Sequence, residues 1–209
     1  MLYNPRSFNA RSAADSLEII AAHPFATLIT VEADGTPQLT HCPMIYGTDV
    51  SGAWLEGHIA RANKHHEQWE DHQPVLVAFN GPDAYVSPTW YTNSQNVPTW
   101  NYIAVHVRGT LHKEDAPGKK DELLKRLIAH VEPSYAEQWR SLPADYQQRM
   151  LGAIVGFRIR ILSIEGKFKL SQNRQTADSD GVLAAYATGT EKQRALSEWM
   201  KRMGVDSKI

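Results

Sequence analysis

The 209-residue chain holds a single cysteine, Cys42, so it has no internal disulfide framework and suits a reducing compartment. No apolar run approaches the roughly 20 residues that a membrane-spanning helix needs. The start, Met1 to Arg6, lacks the apolar stretch and small-residue cleavage site of a secretory leader. Basic charge is not in excess either: 22 Lys and Arg face 23 Asp and Glu, a formal net charge of −1. That balance argues against an electrostatic grip on nucleic acid, which needs clustered cations to displace counterions from phosphates. Also missing are a Gly-rich dinucleotide fingerprint, a phosphate-loop motif, a Gly-x-Ser-x-Gly elbow and a Cys-x-x-Cys pair. A nucleotide-type ligand would have to be held without a Rossmann loop. With 42% hydrophobic and 22% charged residues, the composition is that of a folded globular chain. The expectation is a cytoplasmic protein with one domain over 1–209, its core about 12–175 and a helical tail about 179–203.

Periodicity supplies the elements. Ser12 to Asp15 has the spacing of a capping box, and Leu17, Ile20 and Ala21 follow at helical spacing up to Pro24. Phe25–Val31 and Gln38–Tyr46 flank Asp34-Gly35 and read as a hairpin, because Asp-Gly tolerates the positive φ of a tight turn. Ala53–Ile59, Pro74–Asn80 and Tyr85–Trp90 read as further strands, with a polar, helix-permissive stretch from Ala60 to Asp71. In Tyr102–Thr110, Ile103, Val105 and Val107 share one face; in Ile154–Ile164, Phe157, Ile159 and Ile161 do the same. Leu123, Leu124, Leu127, Ile128 and Val131 make one amphipathic helix, and Leu196, Trp199, Met200 and Met203 make another. About seven strands with short connections favour a mainly β, antiparallel barrel with peripheral helices over a doubly wound sheet.

Candidate chemistry sits in four places. His65, His66 and His72 stand among Glu67, Glu70 and Asp71, but without a His-Glu-x-x-His or zinc-finger spacing. A solvated helix is the expectation there, and no metal ligand is assigned. Tyr85, Trp90, Tyr91, Trp100 and Tyr102 fall within 18 residues that also carry Thr92, Asn93, Ser94, Gln95 and Asn96. Rings beside polar donors are what a planar heteroaromatic ligand requires, and an aromatic-rich core edge or dimer interface is the alternative. His58, Arg61, Asn63 and Lys64 offer cations and amides suited to a phosphate. Lys167 to Arg174 alternates polar and apolar residues and ends in donors. Cys42 reads as a small buried thiol, on the opposite strand face from His41.

Several stretches occur in one order between about Tyr3 and Gly181: Tyr3-Asn4-Pro5, Thr40-His41-Cys42-Pro43, Gly57 to Asn63, Phe79 to Tyr91, Val97-Pro98-Thr99-Trp100-Asn101-Tyr102 with Val105-His106, Ile154 to Phe157, and Lys169-Leu170-Ser171-Gln172-Asn173-Arg174. Together they resemble the PaiB family of flavin-binding split-barrel proteins. One departure is local: Lys64-His65-His66 stands where family members often carry Pro and a nearby Trp. The resemblance implies a six-stranded split barrel that forms a homodimer with FMN between subunits. It implies that His58, Arg61, Asn63 and Lys64 hold the FMN phosphate, and that Trp90, Tyr91 and Trp100 cover the isoalloxazine. Lys169, Ser171, Gln172 and Arg174 would then donate to ring carbonyls or the ribityl chain. The family is labelled as negative transcriptional regulators of protease production and sporulation, so the implied role is a redox- or ligand-responsive regulator. No helix-turn-helix is visible, and direct DNA binding is not assigned. A flavin-dependent oxidoreductase or flavin reductase using the same site is the alternative, with no catalytic residue singled out. A haem-binding split barrel using His58, His65 or His66 is another.

Overall fold

The computed structural model describes residues 3–205. Among them are six strands: β1 (Phe25–Val31), β2 (Pro37–Asp49), β3 (Gly52–Ala60), β4 (Gln73–Val86), β5 (Thr99–Glu114) and β6 (Ile154–Lys169). They hydrogen-bond in the order β1-β2-β3-β6-β5-β4 and close into a barrel. The helices are α1 (Ala13–Ala22), α2 (Pro117–Val131), α3 (Ala136–Ser141), α4 (Ala144–Gly152), α5 (Thr176–Ala187) and α6 (Glu191–Arg202). Six strands replace the seven read from the sequence, because Pro74–Asn80 and the start of Tyr85–Trp90 form one continuous β4. Gly81 lies inside that strand, where a Cβ would stand 3.1 Å from the Ile103 side chain. Its glycine serves a close approach of β5 and not a turn.

The chain divides into two compact units, one of residues 23–79 and 106–164, the other of the remaining described residues. In the first, β1 and β2 pair antiparallel from Phe25↔Pro43 to Val31↔Pro37. Gly35 takes φ 89 in the turn, and the Thr36 amide donates to Asp34 Oδ1 at 2.8 Å. β3 joins β2 on one side and β6 on the other, so Leu55 lies opposite Tyr46 and Ile159. Leu28, Met44, Leu55, Val77, Val107, Phe157 and Ile159 are fully buried at the inward positions of these strands. At roughly 1.5–3 kcal/mol for each large apolar side chain, their burial dominates the unit's stability. Glu56, also buried, is clamped by two bonds from Arg126 on α2.

The stretch Ala60 to Asp71 departs from the solvated helix expected of it. Only a 3₁₀ turn, Lys64–Gln68, forms, and both His65 and His66 are buried. His65 is held on both sides, Nε2 at 2.6 Å from Thr30 Oγ1 and Nδ1 at 2.8 Å from Thr40 Oγ1. Trp69 then meets Phe157 edge-on, with centroids 5.3 Å apart. Strand threonines supply the hydrogen bonds that a buried imidazole requires.

In the second unit, the later part of β4, the first part of β5 and the end of β6 lie with α1, α5 and α6. Ser12 and Asp15 cap α1 reciprocally, as their spacing predicts, the Ser12 amide donating to Asp15 Oδ2 at 2.9 Å. A capping box of Thr190 and Gln193 starts α6. Leu196 and Met200 are fully buried within the chain, and Trp199 sits edge-on to Phe168 at 5.1 Å. The C-terminal helix therefore packs on its own chain. Tyr186 of α5 donates its hydroxyl to the carbonyls of Ala84 and Tyr85 at 3.1 Å, pinning the end of β4.

Candidate functional site

Two groups of candidate residues emerge, one in each unit. The first is built where β6 ends. Lys169 is the last residue of the strand, and its ammonium donates to Thr99 Oγ1 at 2.6 Å and to the Trp100 carbonyl at 2.5 Å on β5. Ser171 follows at φ 67, a left-handed conformation that costs an L-residue about 1–2 kcal/mol. That backbone buries its hydroxyl beside the buried Asn101 side chain, at 3.0–3.1 Å. Gln172 folds back on its own strand end: Oε1 accepts from the Leu170 amide at 2.7 Å and Nε2 donates to the Phe168 carbonyl. Arg174 donates to Asn96 Oδ1 at 2.9 Å, and its guanidinium lies 4.6 Å from the centroid of the Tyr91 ring. Thr99, Asn101, Lys169, Ser171, Asn173 and Arg174 line a cleft of about 50 Å³. A cleft of that size admits the edge of a ring or one polar group, well below the roughly 300 Å³ or more of a whole-ligand pocket.

The aromatic residues stand in the same unit in three different states. Tyr91 is buried, and its buried hydroxyl has no hydrogen-bond partner among the described residues. Trp90 closes a 3₁₀ turn, Pro88–Trp90, and meets Tyr186 edge-on at 5.8 Å. Trp100 is 52% exposed and Tyr85 44%, the two rings edge-on at 6.2 Å. Thr92, just beyond, is tied to the Asp178 carboxylate through both amide and hydroxyl at 2.8 Å. Those bonds hold the Asp178 carboxyl below the usual carboxylate range.

Electrostatics give this group its character. Burial pushes the Lys169 ammonium below the ordinary lysine range, and the charges of Lys167 and Arg174 push it the same way. Lys167 itself is buried, donates to the Tyr3 carbonyl at 2.8 Å and lies 5.4 Å from the Tyr102 ring centroid. Three cations, Lys167, Lys169 and Arg174, thus fall on one short segment of a chain whose net charge is −1.

The second group lies at the end of β3, in the barrel unit. His58, opposite Gly156 in the β3–β6 register, has a buried Nδ1 with no partner among the described residues, and burial pushes its imidazole toward neutrality. Arg61 is engaged: Nε donates to the Gly152 carbonyl at 2.8 Å, and Nη2 reaches the Ile154 carbonyl at 3.0 Å and Asp115 at 2.5 Å. Against the burial that would raise it, bonds from Arg61 and Lys120 hold the Asp115 carboxyl below its usual range. Asn63 caps the 3₁₀ turn by accepting from the His65 amide at 3.1 Å and donates to Thr40 Oγ1. Lys64 is exposed. Of the four, His58 offers an orphaned buried nitrogen and Lys64 an exposed cation, while Arg61 and Asn63 shape the backbone.

Reading the sequence missed the partners that fix these side chains. Thr99 and Asn101 had a signal, since both sit in the Val97 to Tyr102 stretch. Asn96 and Asp178 had none, because their roles depend on β6 and α5 meeting the segment after Pro88.

Residues 2–163 match the family described as "Putative FMN-binding domain". The chain is 34% identical over 187 residues to the Protease synthase and sporulation protein PAI 2 of Bacillus subtilis, covering 87% of each chain. Among solved structures it is similar to the flavocytochrome Anf3 of Azotobacter vinelandii, with a TM-score of 0.61, 17% identity and coverage of 77% of this chain and 69% of that one. The FAD and heme binding protein of Mycobacterium smegmatis gives the same TM-score, 0.61, at 18% identity, covering 77% and 73%. These likenesses establish the fold as a split β-barrel with added helices. Among the described residues, no helix is long and apolar enough to cross a membrane.

Proposed function

This chain belongs to the FMN-binding domain family, and we propose that it is an FMN-binding homodimer of the PaiB type, a regulator that responds to flavin or to its redox state. The observation that carries the reading is the group of cations at the end of β6. Lys169 is half buried and made less basic by its burial and by Lys167 and Arg174. Such a cluster is relieved when an acceptor-rich or anionic group arrives, because like charges and desolvation then gain a partner. The pyrimidine edge of an isoalloxazine is a group of that kind.

The residues present fit it. Lys169, Ser171 and Arg174 would donate to the ring or its ribityl chain, with Gln172 holding the turn between them. Trp100 offers an exposed ring face, Tyr91 an orphaned hydroxyl and Trp90 a wall fixed by Tyr186. His58, Asn63 and Lys64 remain the proposed phosphate contacts, and Arg61 joins them through the backbone it holds in place. Bound FMN would supply electron-accepting chemistry, and a cation beside its pyrimidine edge raises its reduction potential. The homodimer is supported by the apolar surface of Tyr85, Val97 and Trp100, exposed by 44%, 70% and 52%. Similarity to the sporulation protein supports the regulatory role, and the net charge of −1 keeps direct DNA contact outside the proposal.

The test is a titration of flavin-free protein with FMN. Lys169→Met and Arg174→Ala are each expected to weaken binding about ten- to hundredfold, or roughly 1.4–2.8 kcal/mol. Affinity unchanged in both variants removes the cation cluster from the site. FMN-dependent turnover of NAD(P)H by the wild type would replace the regulator with an oxidoreductase on the same residues.

A further inference from the structure

We propose that Asp71, His72 and His112 form a binding site for a divalent transition-metal ion of the zinc class. The three residues come from separate parts of the barrel unit. Asp71 and His72 end the loop before β4, and His112 lies near the end of β5. The His72 amide donates to the Leu111 carbonyl at 2.9 Å, which brings that loop against the strand beside His112. His72 sits at φ 62, a left-handed conformation uncommon for a residue with a Cβ.

The donor atoms converge. Asp71 Oδ1 is 2.8 Å from His112 Nδ1, and Asp71 Oδ2 is 3.3 Å from His72 Nε2. The imidazole rings meet at 86° with centroids 4.4 Å apart, and one ligand atom from each residue lies within 4.8 Å of the others. Tetrahedral zinc with bonds of roughly 2.0–2.1 Å separates its ligand atoms by about 3.3–3.4 Å. Of the two carboxylate–imidazole distances, 3.3 Å meets that value and 2.8 Å falls short of it, so modest side-chain rotation admits the ion.

Donor chemistry selects the class of ion. Two imidazole nitrogens with one carboxylate suit zinc, copper or nickel, whereas calcium and magnesium take oxygen ligands. The side chains of Asp71 and His72 are 67% and 72% exposed, and that of His112 28%. Ions therefore reach the site from solvent, and three protein ligands leave a position for water or for a donor from another molecule. The His65–Thr30–Thr40 arrangement shows the contrast: both nitrogens of that histidine are engaged by strand hydroxyls.

Untagged full-length protein titrated with Zn²⁺ alone, and with Co²⁺ followed by its visible absorption, tests the site. One ion per chain at micromolar affinity is expected, with a loss of about tenfold or more in Asp71→Asn, in His72→Gln and in His112→Gln. Asp71 and His72 are exposed, so their variants probe the ligands without disturbing the core. Zinc affinity that survives in the Asp71→Asn/His72→Gln double variant overturns the proposal. So does failure of the wild type to take up one ion per chain.

Discussion

Gly181 offers a substitution whose sign is decided by the structure. It lies inside α5, where replacing Gly by Ala ordinarily gains about 0.8–1 kcal/mol of helix propensity. An added Cβ would stand 2.1 Å from the Trp90 carbonyl oxygen, and real Cβ atoms essentially never come closer than 3.0 Å to a neighbour. The obstacle is backbone, so the segment must retreat by about 1 Å, an overpacking that costs roughly 1–3 kcal/mol. Retreat is opposed on both sides of that carbonyl: Trp90 packs on Tyr186, and Thr92 is bonded twice to Asp178, both on α5. The upper half of that range applies, and after the propensity gain Gly181→Ala should destabilise by about 1–2 kcal/mol. Urea unfolding measures it, with near-ultraviolet circular dichroism reporting the displaced Trp90 and Tyr91. Gly118→Ala is the control, since nothing lies within 4 Å of a Cβ there and propensity alone acts. A Gly181→Ala protein as stable as the wild type, or more so, would mean that the Trp90 carbonyl yields at no cost.

Three further outcomes follow from the same physics. Burial lowers the pKa of His23, His58 and His65, the last partly offset by the Glu32 charge, so each is kept neutral by folding. The unfolded chain then binds more protons below about pH 6.5, and stability is fully present above that and lost toward acid, by up to about 1.4 kcal/mol per pH unit for each histidine. Unfolding midpoints that do not fall between about pH 7.5 and 5.5 contradict this assignment. Arg61→Ala, which deletes bonds to two carbonyls and to Asp115 at a partly exposed position, should cost about 1 kcal/mol in thermal unfolding, whereas Lys64→Ala should cost almost nothing. Cys42 is 4% exposed and its thiol is pushed up to about 12, so a thiol reagent should label it only after unfolding; native labelling at the unfolded rate counts against the buried position.

Much of the fold was legible because the barrel strands alternate. Ile103, Val105 and Val107 announce the inward face of β5, and all three are buried. The hairpin at Asp34-Gly35 and the cap at Ser12 are local chemistry, and both appear as spacing predicts. β4 was harder, since Asn80-Gly81-Pro82-Asp83 carries turn residues inside a strand whose glycine answers to Ile103, far along the chain. His65 illustrates the same limit. A histidine in a polar stretch reads as solvated until Thr30 on β1 and Thr40 on β2 are known to flank it. The separate helix α5 lacked a single apolar stripe, its buried Ser179, Val182 and Tyr186 standing among small and acidic residues. For the candidate site, residue types were visible and their partners were not. Lys169, Ser171 and Arg174 stand out as donors, but the charge crowding on Lys169 depends on how the end of β6 folds back. The pairing of Asp71 and His72 with His112 crosses 40 residues of sequence and leaves no spacing motif.

The cation cluster at the end of β6 is tested by FMN binding to flavin-free wild-type protein beside Lys169→Met, with the reduction potential of the bound flavin measured in both. Saturable binding is predicted in the wild type, with weaker binding and a lower potential in Lys169→Met, because the variant removes a cation from the ring's surroundings. Equal affinity and equal potential in the two proteins, or no binding by the wild type, would mean that Lys169 does not face a bound flavin.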